Sequence, residues 1–309
     1  MSRFAFWAAA LAPYDGAGRV DPARIPEQLG HLRSTGVRGA FVNGTSGEFP
    51  FLTVEERMSV LEAWAAARPE GFGLGVQVGG LPLATTRELA AHAKGLGVDL
   101  VATVAPYYGQ APTLAHLVRW LAEVAEAADG VPFCYYQIPS MTGPVPRPSA
   151  VVAAASVEIP TLAALKFTDE DLMELEAIRL ARPDLRVYFG RDELLPAALA
   201  AGSDAAIGSL YNGLAPLAHA VVDAFDRGEI AQAHDLHRPF RDIARAATGP
   251  GFVKELMNRL GPDVGPARTP WGPATDADRA AIDRLVPLLR DALAAASAAP
   301  SAVPGTVVS

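Results

Sequence analysis

Eight short apolar runs, each separated from the next by a stretch of helical periodicity, constrain this chain more than any other feature. The runs are residues 4–11, 39–43, 74–78, 100–104, 132–136, 163–166, 186–189 and 205–208. They are nearly continuous in apolar residues rather than alternating, which is the pattern of strands covered on both faces. Helical patterns fall between them, at 23–34, 54–67, 87–96, 114–127, 169–180 and 193–201. Repeated strand–helix units build a parallel sheet, and eight of them close most economically into a (β/α)8 TIM barrel. An open doubly wound sheet would want a glycine-rich dinucleotide turn after the first strand. Ala12-Pro13-Tyr14-Asp15-Gly16 is not one.

Helical patterns continue past the eighth run, at about 213–226, 230–247, 252–260 and 275–296, more than a barrel needs. The expected organisation is a barrel over 1–228, C-terminal helices packed on it over 229–296, and a disordered tail over 297–309, which is small, Pro-bearing and uncharged. A net charge of −8 and the lack of a basic stripe argue against a nucleic-acid partner. Met1-Ser2-Arg3 and the apolar stretch behind it faintly imitate a signal peptide but read better as the first strand. No apolar run is long enough to predict a membrane span. The single cysteine, Cys134, excludes an intrachain disulfide and any cysteine metal cluster, and fits a reducing cytoplasmic setting.

Lysine is scarce. Of 26 basic residues only Lys94, Lys166 and Lys254 are lysine. Lys94 and Lys254 lie in helical patterns and read as surface or helix-end residues. Lys166 instead closes the apolar run Leu162-Ala163-Ala164-Leu165. A buried ammonium is costly unless it is paired or its pKa is lowered, and an amine with a lowered pKa attacks carbonyls to form a Schiff base. The plainer alternative is a lysine snorkelling from a strand end to solvent.

Barrel enzymes carry their chemistry at the C-terminal ends of the strands, and reactive side chains recur there in this sequence. Asn43-Gly44-Thr45-Ser46-Gly47-Glu48 follows the second run. Its backbone N–H groups and the Thr45 and Ser46 hydroxyls can converge on a carboxylate, although a glycine turn and helix N-cap would read the same way. Glu48 reads as an N-terminal helix residue without a catalytic role. Pro106-Tyr107-Tyr108 follows the fourth run, and Tyr136 ends the fifth, either as a proton-transfer group or as a core tyrosine. Lys166-Phe167-Thr168 ends the sixth, Gly190-Arg191-Asp192-Glu193 the seventh, and Gly208-Ser209 the eighth. Asp192 and Glu193 can bind sugar hydroxyls or simply favour a helix N-terminus.

These residues carry a resemblance. Gly44-Thr45-Ser46-Gly47-Glu48, Tyr136-Gln137-Ile138-Pro139-Ser140-Met141-Thr142-Gly143 and the strand-six lysine Lys166, in this order, resemble the dihydrodipicolinate synthase / N-acetylneuraminate lyase family of pyruvate-dependent class I aldolases over roughly residues 4–295. The resemblance implies that Lys166 forms the Schiff base with pyruvate, that Tyr136 relays protons, and that Thr45 and Ser46 hold the pyruvyl carboxylate. It also implies that Tyr108 is the tyrosine that in synthase members reaches a neighbouring subunit's site. Synthases place an arginine where this chain has Met141, which cannot pair with a second carboxylate. Gly190-Arg191-Asp192-Glu193, Gly208-Ser209-Leu210-Tyr211-Asn212 and Lys166-Phe167-Thr168 are similar to the lyase branch. The implied site therefore adds Thr168, Gly190, Asp192, Glu193 and Ser209 as substrate-binding residues. The implied activity is cleavage of N-acetylneuraminate, or a similar 2-keto-3-deoxy sugar acid, to pyruvate and an aldose. The alternatives are a 2-keto-3-deoxygluconate-type aldolase or dehydratase, then a dihydrodipicolinate synthase, and from another class a non-catalytic sensing barrel. The chemistry implied requires no metal or organic cofactor, and the family suggests a cytoplasmic homotetramer, a dimer of dimers.

Overall fold

The computed structural model describes residues 4–298. Its eight strands are β1 (Ala5–Ala9), β2 (Gly39–Val42), β3 (Gly73–Gln77), β4 (Leu100–Val104), β5 (Phe133–Gln137), β6 (Leu162–Phe167), β7 (Arg186–Phe189) and β8 (Ala205–Gly208). All neighbours pair in parallel. β1 closes the ring on β8 through Ala5↔Ala205, Phe6↔Ala206, Trp7↔Ile207 and Ala8↔Gly208. The chain is thus the expected (β/α)8 barrel.

Helices α1 (Ile25–Ser34), α2 (Val54–Ala67), α3 (Leu83–Gly95), α4 (Leu114–Ala127), α5 (Pro139–Thr142), α6 (Pro148–Glu158), α7 (Leu172–Ala181) and α8 (Leu195–Ala200) connect the strands. α9 (Tyr211–Asp226), α10 (Ile230–Leu236), α11 (Arg238–Ala246), α12 (Pro250–Leu260) and α13 (Asp276–Ala298) follow the barrel. The sequence reading has no helix at α6, whose composition (PSAVVAAASVE) is apolar almost all round and gives little periodic signal. The pattern read as one helix over 230–247 is two, broken at His237, just before Pro239, which cannot donate to a continuing helix. Residues 297 and 298 belong to α13, not to a tail. The rest of the tail, 299–309, lies outside the described residues.

Period-two alternation sorts each strand between two cores. Outward residues such as Leu165, Phe167 and Tyr135 pack under the helices. Inward residues, among them Trp7, Phe41, Leu100, Cys134, Tyr136, Ala164 and Ile207, fill the barrel. The Trp7 indole occupies one layer of that interior. Room exists for it because Gly39 and Gly73 lack Cβ atoms, which would stand 2.5 and 2.3 Å from the ring. Ala164 and Lys166 share the inner face of β6, so the alternation that buries Phe167 outside points Lys166 into the barrel.

Candidate active site

Lys166 is 4 % exposed, and its register partners are Tyr136 on β5 and Tyr188 on β7. Its Nζ lies 3.9 Å from the centre of the Tyr136 ring and 4.9 Å from that of Phe41. No carboxylate among the described residues is within ion-pair distance of it. The reading of Lys166 as a snorkelling surface lysine therefore fails on burial and direction. What remains is a desolvated amine held against two aromatic faces, which attract a cation without supplying a counter-charge.

The loop after β2 brings the hydroxyls to this amine. The Thr45 Oγ1 is 3.0 Å from the Tyr136 phenol oxygen, and the Ser46 Oγ is 2.7 Å from the Ser209 Oγ after β8. The turn is tight enough that a Cβ on Gly47 would sit 3.0 Å from the Asn43 backbone, and it begins and ends on left-handed residues, Asn43 and Glu48, both at φ 53°. Such conformations are sparsely populated outside glycine and persist where surroundings enforce them. Here Asn43 Nδ2 donates to the Arg57 carbonyl at 2.9 Å, and the Glu48 N–H donates to the Thr45 carbonyl at 2.9 Å.

Strands β6 to β8 contribute buried polar atoms. Gly190 stands so close to Thr168 that a Cβ would lie 2.1 Å from its Oγ1. Asp192 Oδ2 accepts the Leu210 N–H at 2.8 Å, and the Asp192 carbonyl accepts from His237 Nε2 at 2.8 Å. Thr168 Oγ1 is buried without a hydrogen-bond partner among the described residues, a costly state that a polar ligand would relieve, and the Tyr211 hydroxyl faces the Asp192 carboxyl. Burial raises the Asp192 carboxyl to about 7, the Leu210 N–H opposing it, and burial lowers His237 to about 4. Glu193 is instead occupied by Arg191, 2.8 Å away.

A cavity of about 510 Å³ is lined by Thr45, Ser46, Met141, Arg191, Ser209, Lys254 and Trp271, among others, while Lys166, Tyr136, Thr168, Asp192 and Glu193 are not part of its wall. That is the size of a site for a small organic molecule. A side cavity of about 100 Å³ shares Thr45, Met141 and Trp271 with it and adds Tyr107. Tyr108 stands apart from both, 91 % exposed. Among the described residues no group of three or more His, Cys, Asp or Glu is placed to hold a metal ion, and no helix is long and apolar enough to cross a membrane.

One sequence reading needs correction: Lys254 is not a surface residue. Glu48 stands where the sequence put it, as the N-cap of the short 3-10 turn Phe49–Phe51, but its side chain does not cap that turn. Their side chains are each 2 % exposed, and Lys254 Nζ donates to Glu48 Oε1 at 2.7 Å. Glu48 Oε2 also accepts the Arg268 N–H at 2.8 Å, and the Tyr14 ring lies 4.1 Å from the Lys254 amine. Burial lowers Lys254 to about 8, with Glu48 opposing the shift. A signal existed, because Lys254 falls on the helical stripe between Gly251 and Met257, both buried. Trp271 and Arg191 were also missed as cavity residues; Arg191 sits in the segment after the seventh strand that the sequence singled out, whereas nothing in the local sequence marks Trp271.

A closed parallel barrel with a buried, unpaired lysine on its inner wall and a ring of hydroxyls at its mouth defines an aldolase-type carbon–carbon lyase. Comparison with known proteins agrees. Residues 5–288 match the model of the dihydrodipicolinate synthetase family. The chain is 33 % identical over 277 residues to N-acetylneuraminate lyase of Mus musculus, covering 87 % of each, and 33 % identical over 272 residues to that of Homo sapiens, covering 85 % of each. It also superposes on Proteus mirabilis N-acetylneuraminate lyase with a TM-score of 0.88 at 31 % identity, covering 93 % of this chain and 98 % of that one. The protein belongs to the dihydrodipicolinate synthetase family.

Proposed function

We propose that this enzyme is a Schiff-base class I lyase that cleaves N-acetylneuraminate, or a similar 2-keto-3-deoxy sugar acid, to pyruvate and an aldose. The observation that carries the proposal is the buried Lys166 amine against Tyr136, whose hydroxyl is bonded to Thr45. In this reading Thr45 and Ser46 hold the substrate carboxylate, and the Lys166 amine adds to the C2 carbonyl and expels water to give an iminium. As the C3–C4 bond breaks, the C4 hydroxyl gives its proton to the Tyr136 oxygen, while the Tyr136 hydroxyl passes its own through Thr45 to the substrate carboxylate. From there the same relay later returns a proton for C3. The bond's electron pair moves into the iminium to leave an enamine, and the aldose departs. The enamine takes a proton at C3, and water hydrolyses the imine to release pyruvate and the free amine.

Specificity in this reading lies on β6 to β8. The unpartnered Thr168 hydroxyl and the Asp192 carboxyl, with Gly190, Ser209 and the Arg191-paired Glu193, receive the hydroxylated chain, and a site built to hydrogen-bond hydroxyls rejects analogues that lack them. Met141, 54 % exposed in the cavity wall, offers no charge to a second carboxylate, which disfavours condensation with aspartate semialdehyde. The exposed Tyr108 fits a homotetramer in which it serves a neighbouring subunit's site, and the single buried cysteine fits the cytoplasm. The test is borohydride reduction with pyruvate, read by intact mass and peptide mapping, beside assays of sugar-acid cleavage and aspartate-semialdehyde condensation. One reduced pyruvyl group on Lys166, lost in Lys166→Arg, together with sugar-acid cleavage, is expected, because a guanidinium stays protonated and is no nucleophile. An adduct that survives in Lys166→Arg, or condensation without cleavage, would refute the reading.

A further inference from the structure

The second buried lysine has no part in the mechanism above, yet it lines the same cavity as Thr45 and Ser46. It comes from α12, beyond the barrel, and it meets Glu48, which closes the β2 loop. Glu48 does two things at once. Its backbone N–H holds the Thr45 carbonyl at 2.9 Å, and its carboxylate is gripped by Lys254 at 2.7 Å and by the Arg268 N–H at 2.8 Å. The left-handed backbone at Glu48 is a conformation that surroundings must enforce. The local bond to Thr45 turns the backbone, and the two contacts from the C-terminal segment fix the side chain that follows from it. Two constraints therefore define the hydroxyl pair, Ser209 bonded to Ser46 on one side and the Glu48 anchor beneath Thr45 on the other.

We infer that Lys254 and Glu48 are positioning residues that hold the Thr45–Ser46 turn in the geometry that receives the substrate carboxylate, so that the C-terminal helices set substrate affinity from outside the barrel. This rests on the reading of Thr45 and Ser46 as the carboxylate clamp. Lys166 does the covalent chemistry, and Lys254, tied to its carboxylate, does not. Loss of the anchor should weaken pyruvate capture more than it impairs the steps that follow.

The measurement is the pyruvate dependence of borohydride trapping on the full chain, for wild type, Lys254→Met and the double variant Glu48→Gln/Lys254→Met, with melting temperature recorded for each. Lys254→Met strands a buried carboxylate and should melt lower. The double variant removes both charges and should recover much of that loss, because a buried pair replaced by neutral groups is tolerated far better than half a pair. Both variants should still reach one adduct at Lys166, but at half-saturating pyruvate raised about tenfold, the scale of loss expected when a binding group is held loosely. A purely structural pair would lower the melting temperature and leave half-saturation within twofold of wild type, which would overturn the inference. So would loss of the fold in both variants, or an adduct that moves to Lys254. A wild-type protein that forms no adduct would instead bring down the pyruvate reading, and this inference with it.

Discussion

Gly208→Ala tests the specificity side of the site with one methyl group. Gly208 ends β8 and is packed against Asp192. A Cβ there would lie 1.6 Å from Oδ1, 2.4 Å from Cγ and 2.6 Å from Oδ2, whereas ordinary contact begins at 3.4 Å. The carboxylate must therefore retreat by about 1.8 Å (3.4 minus 1.6) or the strand must shift. Retreat breaks the 2.8 Å bond from the Leu210 N–H and leaves that donor buried. Overpacking of this kind costs ~1–3 kcal/mol, and the stranded donor adds ~1–3 kcal/mol. Melting should fall by several degrees with the barrel still folded. Displacement of a substrate-binding group by more than 1 Å should lower sugar-acid kcat/KM by roughly 10²-fold. The atoms nearest the new methyl all belong to Asp192, so the borohydride-trapped pyruvate adduct should be affected far less than cleavage. The assay is cleavage kinetics beside pyruvate trapping on one preparation. Unchanged cleavage would show that Asp192 does not contact the sugar chain. Equal loss of cleavage and trapping would show that the site is not divided between β2 and β7–β8 in the way argued.

Tyr136→Phe keeps the ring under the Lys166 amine and removes only the hydroxyl bonded to Thr45. Turnover should fall roughly 10²–10⁴-fold, with imine formation impaired less than bond cleavage. Near-normal turnover, measured by pyruvate release, would return Tyr136 to a packing role. Asp192→Asn should remove an inflection near pH 7 from the pH profile of sugar-acid cleavage, because burial places the Asp192 titration at about 7 and an amide does not titrate. The sign for stability follows from a folded-state pKa raised above the ordinary 3.8. Burial of this acid is tolerated best below the ordinary value, and stability is lost as pH rises through about 7. Asp192→Asn should accordingly melt higher than wild type at pH 8, with the difference shrinking towards pH 4. An unchanged pH profile and a constant melting difference would refute the assignment.

Much of the site was legible in the sequence because its members sit where a repeating local pattern places them. Lys166, Tyr136, Asp192 and Ser209 each follow an apolar run, and in a parallel barrel the ends of all such runs converge on one face. Lysine scarcity singled out Lys166, and the Gly44–Gly47 spacing marked a tight turn, both properties of adjacent residues. The same logic was silent at α6, where alanines and Val157 on the exposed face leave no periodic contrast with the buried Val151, Val152 and Ala155.

The sequence by itself determined the strand–helix order and the absence of a cationic side chain at Met141, since both depend on neighbours in the chain, whereas only the closed sheet decided that Lys166 points into the barrel and not to solvent. Tertiary structure alone decided that Glu48 and Lys254, 206 residues apart, form a buried pair beneath the Thr45–Ser46 turn. It decided equally that Gly208 leaves room for the Asp192 carboxylate, and that His237 holds the Asp192 carbonyl from the junction of α10 and α11, beyond the barrel. Ring closure and the docking of the last helices bring these groups together. Burial and its effect on charge are properties of what surrounds a residue in space, and the spacing of residues along the chain does not encode them.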